Sequence, residues 1–276
     1  MDIAKIAALV EPGRLPLSFK IGDRRVRGIP AEYKPVVRRC GLDSMITLYT
    51  VTGTSPEGLE VCVEQLVYSD YPVTETVAYL TNRGDKDTPV ISELKIFDGW
   101  LLPCKNPRLI HGRGDECTPA GYSMFDDALT EPRCVHPYDH SGTPCCGASP
   151  YMRLYSESGG YGYNLAIGWT GLWQADFEPC DGGVRISVGQ RRFASYIKPG
   201  ETMRTPRLTL MAYEGDMHVA RNMWRRWYIK HILPREDGEP LPPKMCMHVF
   251  NDGGPEFSGT TEANQIDGLE KYARGG

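Results

Sequence analysis

Apolar and polar residues alternate along Leu59-Glu60-Val61-Cys62-Val63-Glu64, and the same period of two recurs over residues 73–80 and 90–97. Successive side chains of a strand point to opposite faces, so this alternation predicts strands buried on one side. Residues 19–21 and 24–26 flank Gly22-Asp23 as a hairpin would, and residues 45–51 are rich in β-branched and aromatic side chains. The turn sequence Asn82-Arg83-Gly84-Asp85 separates the runs at 73–80 and 90–97. The 30 glycines and 22 prolines are spread through the 276 residues. That distribution suits turns between many short strands, and the spacing predicts a large sandwich of antiparallel sheets.

Residues 105–150 lose this regularity and read as polar, proline-rich loop. Residues 165–169 and 172–177 then flank Thr170-Gly171, which predicts a hairpin. Residues 184–188, 193–197 and 208–213 continue the meander, with Pro199-Gly200 turning between the last two. After Asp216 the period changes: Ala220, Met223, Trp224, Trp227, Tyr228 and Ile232 recur at helical spacing, with Asp216 as cap and Pro234 as terminator. Residues 235–243 are charged and proline-rich, as a linker is. Beyond them residues 245–250 predict a short apolar strand, Asn251-Asp252-Gly253-Gly254 a loop, and residues 261–274 a helix. Ile266, Leu269 and Tyr272 fall on one face of that helix, and Gly275 stands at its C-cap. A single strand–loop–helix unit cannot bury its apolar face, so it predicts neighbours.

With 31 basic and 35 acidic residues the net charge is −4, which gives no bulk attraction to nucleic acid or to an anionic membrane. Residues 6–10 are too short for a signal-peptide core, and no run approaches the ~18 apolar residues of a membrane span. A cytoplasmic address is the expectation. Nine cysteines without a secretion signal read as reduced thiols rather than a disulfide framework.

Several constellations admit chemistry. Trp169 and Trp173 are placed either to form a sugar-stacking platform or to pack in the core, and core packing is the commoner fate of aromatics in a sandwich. Cys134, His136, His140, Cys145 and Cys146 are zinc-ligand types, but their spacing matches no standard finger and ordinary loop thiols account for them. Arg-Gly-Asp occurs at 83–85 and 113–115, where glycine and aspartate serve turns. The glycine-rich run at 159–162 precedes no helix that would bind phosphate. Trp224-Arg225-Arg226-Trp227 reads as the docking face of a helix with arginines snorkelling outward. Arg24, Arg25, Arg27, Lys34, Arg38 and Arg39 read as a solvated face. Asp126-Asp127 lie in apparent loop, and nothing marks them as a catalytic dyad.

Residues 164–178 begin Asn-Leu-Ala-Ile-Gly-Trp-Thr-Gly-Leu-Trp and continue Gln-Ala-Asp-Phe-Glu. This run resembles the Ala-Ile-Gly-Trp-Thr-Gly-Gln-Trp segment of glycoside hydrolase family 36, the α-galactosidases and their relatives, with Leu172 where glutamine is common. Ile197-Lys198-Pro199-Gly200-Glu201 and Arg204-Thr205-Pro206 are similar to that family's Pro-Gly-Glu and Arg-Thr-Pro stretch. Asn222-Met223-Trp224-Arg225-Arg226-Trp227, with His231 and Pro234, resembles its connecting helix. Pro242-Pro243 and residues 245–250 stand where the family enters its barrel, and residues 82–90 are similar to a family turn. The matches run in order from about residue 15 to the C-terminus.

The resemblance implies a mainly β fold: an antiparallel β-supersandwich with a connecting helix over residues 1–234, a linker at 235–243, and the first βα unit of a (β/α)8 barrel over 244–276. It implies retaining hydrolysis of terminal α-galactosides or α-N-acetylgalactosaminides, with no metal or organic cofactor. Its partners would be a galactose-containing oligosaccharide and further copies of the chain, not nucleic acid or membrane. Such chemistry uses two carboxylates ~5–5.5 Å apart. In the family they lie on later barrel strands, and a barrel needs ~250 residues. No residue here matches either carboxylate, so the chain alone is expected to be an inactive fragment. Loops after barrel strands line the catalytic face, so Asn251 and Asp252 are the candidate substrate contacts, with helix capping as their other reading. A stand-alone carbohydrate-binding or oligomerisation sandwich is the alternative.

Overall fold

A computed structural model of the chain describes residues 11–101, 106–116, 118–143, 145–242 and 261–275. The chain divides into two compact units, Met1–Tyr228 and Ile229–Gly276. In the first unit, strands run in the order β1 (Ser18–Ile21), β2 (Arg24–Arg27), β3 (Val36–Gly41), β4 (Ile46–Thr54), β5 (Leu59–Tyr68), β6 (Val73–Asn82) and β7 (Ile91–Leu101). They continue with β8 (Pro107–Gly112), β9 (Met124–Ala128), β10 (Tyr151–Ser156), β11 (Tyr161–Gly168), β12 (Trp173–Cys180) and β13 (Gly183–Gln190). The last are β14 (Ala194–Ser195), β15 (Thr202–Arg204) and β16 (Arg207–Glu214), followed by helix α1 (Met217–Trp227).

Among the described residues these strands form a six-stranded sheet, β12-β13-β7-β1-β2 with β14 against β7, and a ten-stranded sheet, β3-β4-β5-β6-β16-β11-β10-β8-β9 with β15 against β6. Every pairing is antiparallel. The mainly β, antiparallel sandwich expected from the alternation is what the chain adopts. One apolar core joins the sheets, with Phe19, Leu94, Ile96, Trp173, Phe177 and Ile186 from the small sheet and Val61, Leu80, Leu154, Leu165 and Leu210 from the large one.

Three local expectations are corrected. Residues 165–177 do not form a hairpin: β11 belongs to the large sheet and β12 to the small one. Both edges of β11 are taken, by β10 and by β16, so β12 crosses to the other layer and pairs with β13 instead. The stretch at 105–150 is not all loop, because it contains β8 and β9. Residues 193–197 shrink to the two-residue β14.

The small sheet's outer face is tied by charge. Asp98 on β7 accepts from Ser18 Oγ on β1 at 2.9 Å and from Arg185 on β13 at 2.8 Å, and Arg27 on β2 lies 3.4 Å away. The large sheet instead carries α1 on its other face. Asp216 caps this helix as predicted, accepting from the His218 and Val219 amides at 2.8 and 3.0 Å. Ala220 and Trp227 are buried, Trp227 meets Tyr68 edge to face at 5.6 Å, and Trp224 packs on Tyr151 at 5.0 Å. Asn164 on β11, fully buried, fastens helix to sheet. Its Oδ1 accepts from Arg153 Nε at 2.9 Å and the Tyr151 hydroxyl at 3.2 Å, and its Nδ2 donates to the Ala220 carbonyl at 3.1 Å.

In the second unit, β17 (Arg235–Glu236) and β18 (Glu239–Pro240) make a tight hairpin within the segment read as linker. Asp237 and Gly238 turn it with positive φ of 52° and 82°, as a two-residue hairpin requires. Helix α2 (Glu262–Gly275) includes Gly275 rather than ending before it. Ile266, Leu269 and Tyr272 share its exposed apolar stripe. No helix among the described residues is long and apolar enough to cross a membrane.

Replacing Asn164 by leucine would strand a buried guanidinium donor and cut the side-chain link to the Ala220 carbonyl. A buried polar group left unpaired costs about 1–3 kcal/mol. Asn164→Leu should therefore lower stability by roughly 3 kcal/mol, read as a fall in the urea midpoint at unchanged slope.

Candidate functional site

A polar, aromatic groove lies at the β8–β9 end of the large sheet. On β8, Leu109 and His111 face the same side, and cross-strand register sets Asp127 opposite Leu109 and Phe125 opposite His111. Leu109 is core. The inner face of the sheet is thus apolar at Leu109 and turns polar and aromatic one strand position further on. Asp126 and Asp127 are adjacent on a strand, not in a loop, and so point to opposite faces. Asp126 pairs with Arg108 at 3.0 Å and accepts from the Tyr155 hydroxyl at 2.9 Å. Asp127 holds His111 Nε2 at 2.9 Å and Arg133. They cannot act as a dyad.

The other wall is the loop at residues 129–149, which is stitched to the edge of the small sheet. Val135 bridges Phe177 and Tyr138 bridges Gln174, and the Asp139 amide donates to the Trp173 carbonyl at 3.1 Å. The Asp139 side chain, fully buried, turns the chain by accepting from the Ser141 amide at 3.2 Å and the Gly142 amide at 2.8 Å. Glycine is obligatory at two points here. A Cβ on Gly114 would coincide with the Cys145 carbonyl, and one on Gly147, whose φ is +90°, would strike His140 Nδ1. Gly114 is the centre of the second Arg-Gly-Asp, so its turn chemistry comes with a close backbone approach.

The groove has a volume of about 500 Å³ and is lined by His111, Arg113, Glu116, Phe125, His136, Tyr138 and His140. That lies within the roughly 300–1,000 Å³ of small-molecule sites. His136 Nδ1 meets Asp176 Oδ1 at 3.0 Å, and Lys95 approaches the same carboxylate at 3.7 Å. Burial alone would raise the Asp176 pKa, but the Lys95 charge and hydrogen bonds from His136, Ser187 and Gln174 hold it below the ordinary aspartate value. The two carboxylates fix the rings of His111 and His136, as second-layer carboxylates do. Phe125 lies 5.3 Å from the His111 ring, and the Arg191 guanidinium sits 4.0 Å over Tyr138.

The zinc reading is not supported within this region: no group of three or more His, Cys, Asp or Glu side chains among the described residues is placed to hold a metal ion. His136 and His140 reach the groove, whereas Cys134 turns to the Pro132 carbonyl and Cys146 to the Asp115 carbonyl. Nor is the tryptophan pair a sugar platform, because Trp173 is fully buried and Trp169 packs against the core beneath Arg204. Asn251 and Asp252, with the strand expected at 245–250, lie outside the described residues.

No protein-family model and no curated protein sequence matches this chain. Solved structures do. The α-galactosidase AgaA of Geobacillus stearothermophilus, of glycoside hydrolase family 36, superposes with a TM-score of 0.62 at 15% identity over 79% of this chain and 33% of that one. The fold is shared with an α-galactosidase. The Lactobacillus brevis α-galactosidase gives a TM-score of 0.61 at 16% identity over 79% of this chain and 31% of its own. The galactosidase domain of the α-galactosidase–sucrose kinase AgaSK gives 0.59 at 13% identity over 80% and 32%. The chain therefore spans about a third of the length of the α-galactosidase structures it matches. A variant of AgaA has been solved in complex with stachyose.

Two outcomes check this geometry. Asp139→Ala removes the acceptor of the Ser141 and Gly142 amides, which are partly exposed, and should cost about 1 kcal/mol in urea unfolding. Because the folded Asp176 pKa is depressed, its contribution is fully present above the unfolded value near pH 4 and fades as pH falls through the folded value. Asp176→Asn should accordingly flatten the acid limb of the stability–pH curve below about pH 4, with less effect on its slope near neutrality.

Proposed function

We propose that this chain forms the amino-terminal part of a retaining glycoside hydrolase acting on terminal α-galactosides, or on α-N-acetylgalactosaminides. The observation that carries the reading is the fold match: 79% of the chain superposes on about a third of an α-galactosidase. The ordered run of motifs between residues 82 and 250 supports it independently, since it spans strands of both sheets and α1. In this reading residues 1–234 are the supersandwich with its connecting helix, 235–243 the linker, and 244–276 the entry to a (β/α)8 barrel.

The chemistry would then be divided. The nucleophile and the acid/base, two carboxylates ~5–5.5 Å apart, would come from barrel strands beyond residue 276. Asn251 and Asp252, after the first barrel strand, would border the sugar pocket, because loops at that end of a barrel carry its active site. The sandwich would serve as scaffold and as a surface for association with further copies.

Turnover of an aryl α-galactoside tests the division. The 276-residue chain alone should show none. The polypeptide that also includes the coding sequence downstream of Gly276 should show turnover, abolished by asparagine at either of two barrel aspartates. Turnover by the 276-residue chain, or none by the longer polypeptide, overturns the reading.

A further inference from the structure

Two aromatic rings remain on the groove's surface although the core lies beside them. Phe125, on β9, is 40% and Tyr138, in the loop, 43% exposed, and both line the same cavity. Each ring is braced. Arg191 stacks on Tyr138 and donates to the Asp139 carbonyl at 3.2 Å, so ring and loop are held by one side chain. Phe125 has the His111 ring at 5.3 Å and the Arg113 guanidinium at 5.9 Å. Rigid aromatic surface costs little ordering entropy when a ligand arrives, which is why such side chains recur in binding sites.

The charged groups on and behind the lining are matched in sign. Arg113 and Glu116 on the lining carry opposite charges, and behind it Asp127 pairs with Arg133 and Asp176 with Lys95. Phosphate or nucleotide recognition needs an excess of converging cations, and a metal needs a cluster of ligands that the described residues do not supply. What the groove offers is planar donors and acceptors between two aromatic faces, without excess charge. Pyranose rings present apolar C–H faces to aromatics and pairs of hydroxyls to such planar groups.

We propose that this groove binds a short neutral oligosaccharide, stacked on Phe125 and Tyr138 and hydrogen-bonded through His111, Arg113 and His136. The inference stands on the groove alone. Sugar binding and galactoside turnover are separate readouts, so either can fail without the other.

Titration calorimetry of the 276-residue chain with stachyose, maltotetraose, cellotetraose and tri-galacturonate provides the test. At least one neutral tetrasaccharide should bind with Kd on the order of 1 mM or tighter. Phe125→Ala and Tyr138→Ala should each weaken it tenfold or more while the urea midpoint shows the variants folded. Should either alanine variant unfold, Phe125→Leu and Tyr138→Leu retain bulk without the aromatic face and should weaken binding likewise. Saturation transfer from aromatic protons to sugar C–H protons should appear in the parent chain and vanish in the variants. No neutral sugar bound at roughly 10 mM, a preference for tri-galacturonate, or affinity unmoved by the substitutions overturns the proposal.

Discussion

Asn164 is fully buried on a strand covered on both faces, by the core on one side and by α1 on the other. Leu165 and Ile167, its neighbours on β11, enter the inter-sheet core, while Asn164 itself meets α1 through the Ala220 carbonyl. A polar side chain in such a place must satisfy its donors and its acceptor from protein alone. It does so by engaging β10 and α1 at once, through Arg153, Tyr151 and Ala220. The large sheet and the helix are registered by this contact, because a slip of α1 or β10 would break it.

A second constraint is the inequality of the sheets, ten strands against six. The small sheet covers only part of the large one, so the inner face near β9 is closed by the loop at 129–149 instead of by strands. Loop closure leaves the mouth partly wet, and the residues there change accordingly: Leu109 gives way to His111 on the same face of β8, and Phe125 and Asp127 replace aliphatics on β9. The groove is the boundary between a dry sandwich and its unpaired end. Its two walls belong to different layers, so its shape depends on the bridges from Val135 and Tyr138 to β12.

Much of the fold was legible because strand periodicity is local. The alternation at 59–64 became β5, and the helical spacing after Asp216 became α1 with the expected cap, although the α-helix stops at Trp227 and Tyr228–Ile232 form a π-helical turn. Thr170-Gly171 misled for a non-local reason, since whether two strands pair depends on which edges are already occupied. The groove was barely legible. Phe125, Tyr138 and Arg191 are far apart in sequence, and nothing in their local pattern tells that Asp139 turns one wall toward the other. His136 and His140 were visible as ligand types, but in a spacing that matches no finger they read as part of an ordinary thiol-bearing loop, and nothing local marks them as lining a groove.

The basic run on β3 has a consequence for self-association. Among the described residues β3 pairs with β4 alone and is the outermost strand of the large sheet, and all its residues are exposed. An open strand edge with exposed Val36 and Val37 is a template on which a second chain could extend the sheet. Arg38 and Arg39 stand at its centre. An antiparallel copy centred there would set arginine against arginine, and like charges directly opposed are repelled. The pair thus acts as a gatekeeper, discouraging edge-to-edge polymerisation while leaving the faces of the sandwich open to other contacts.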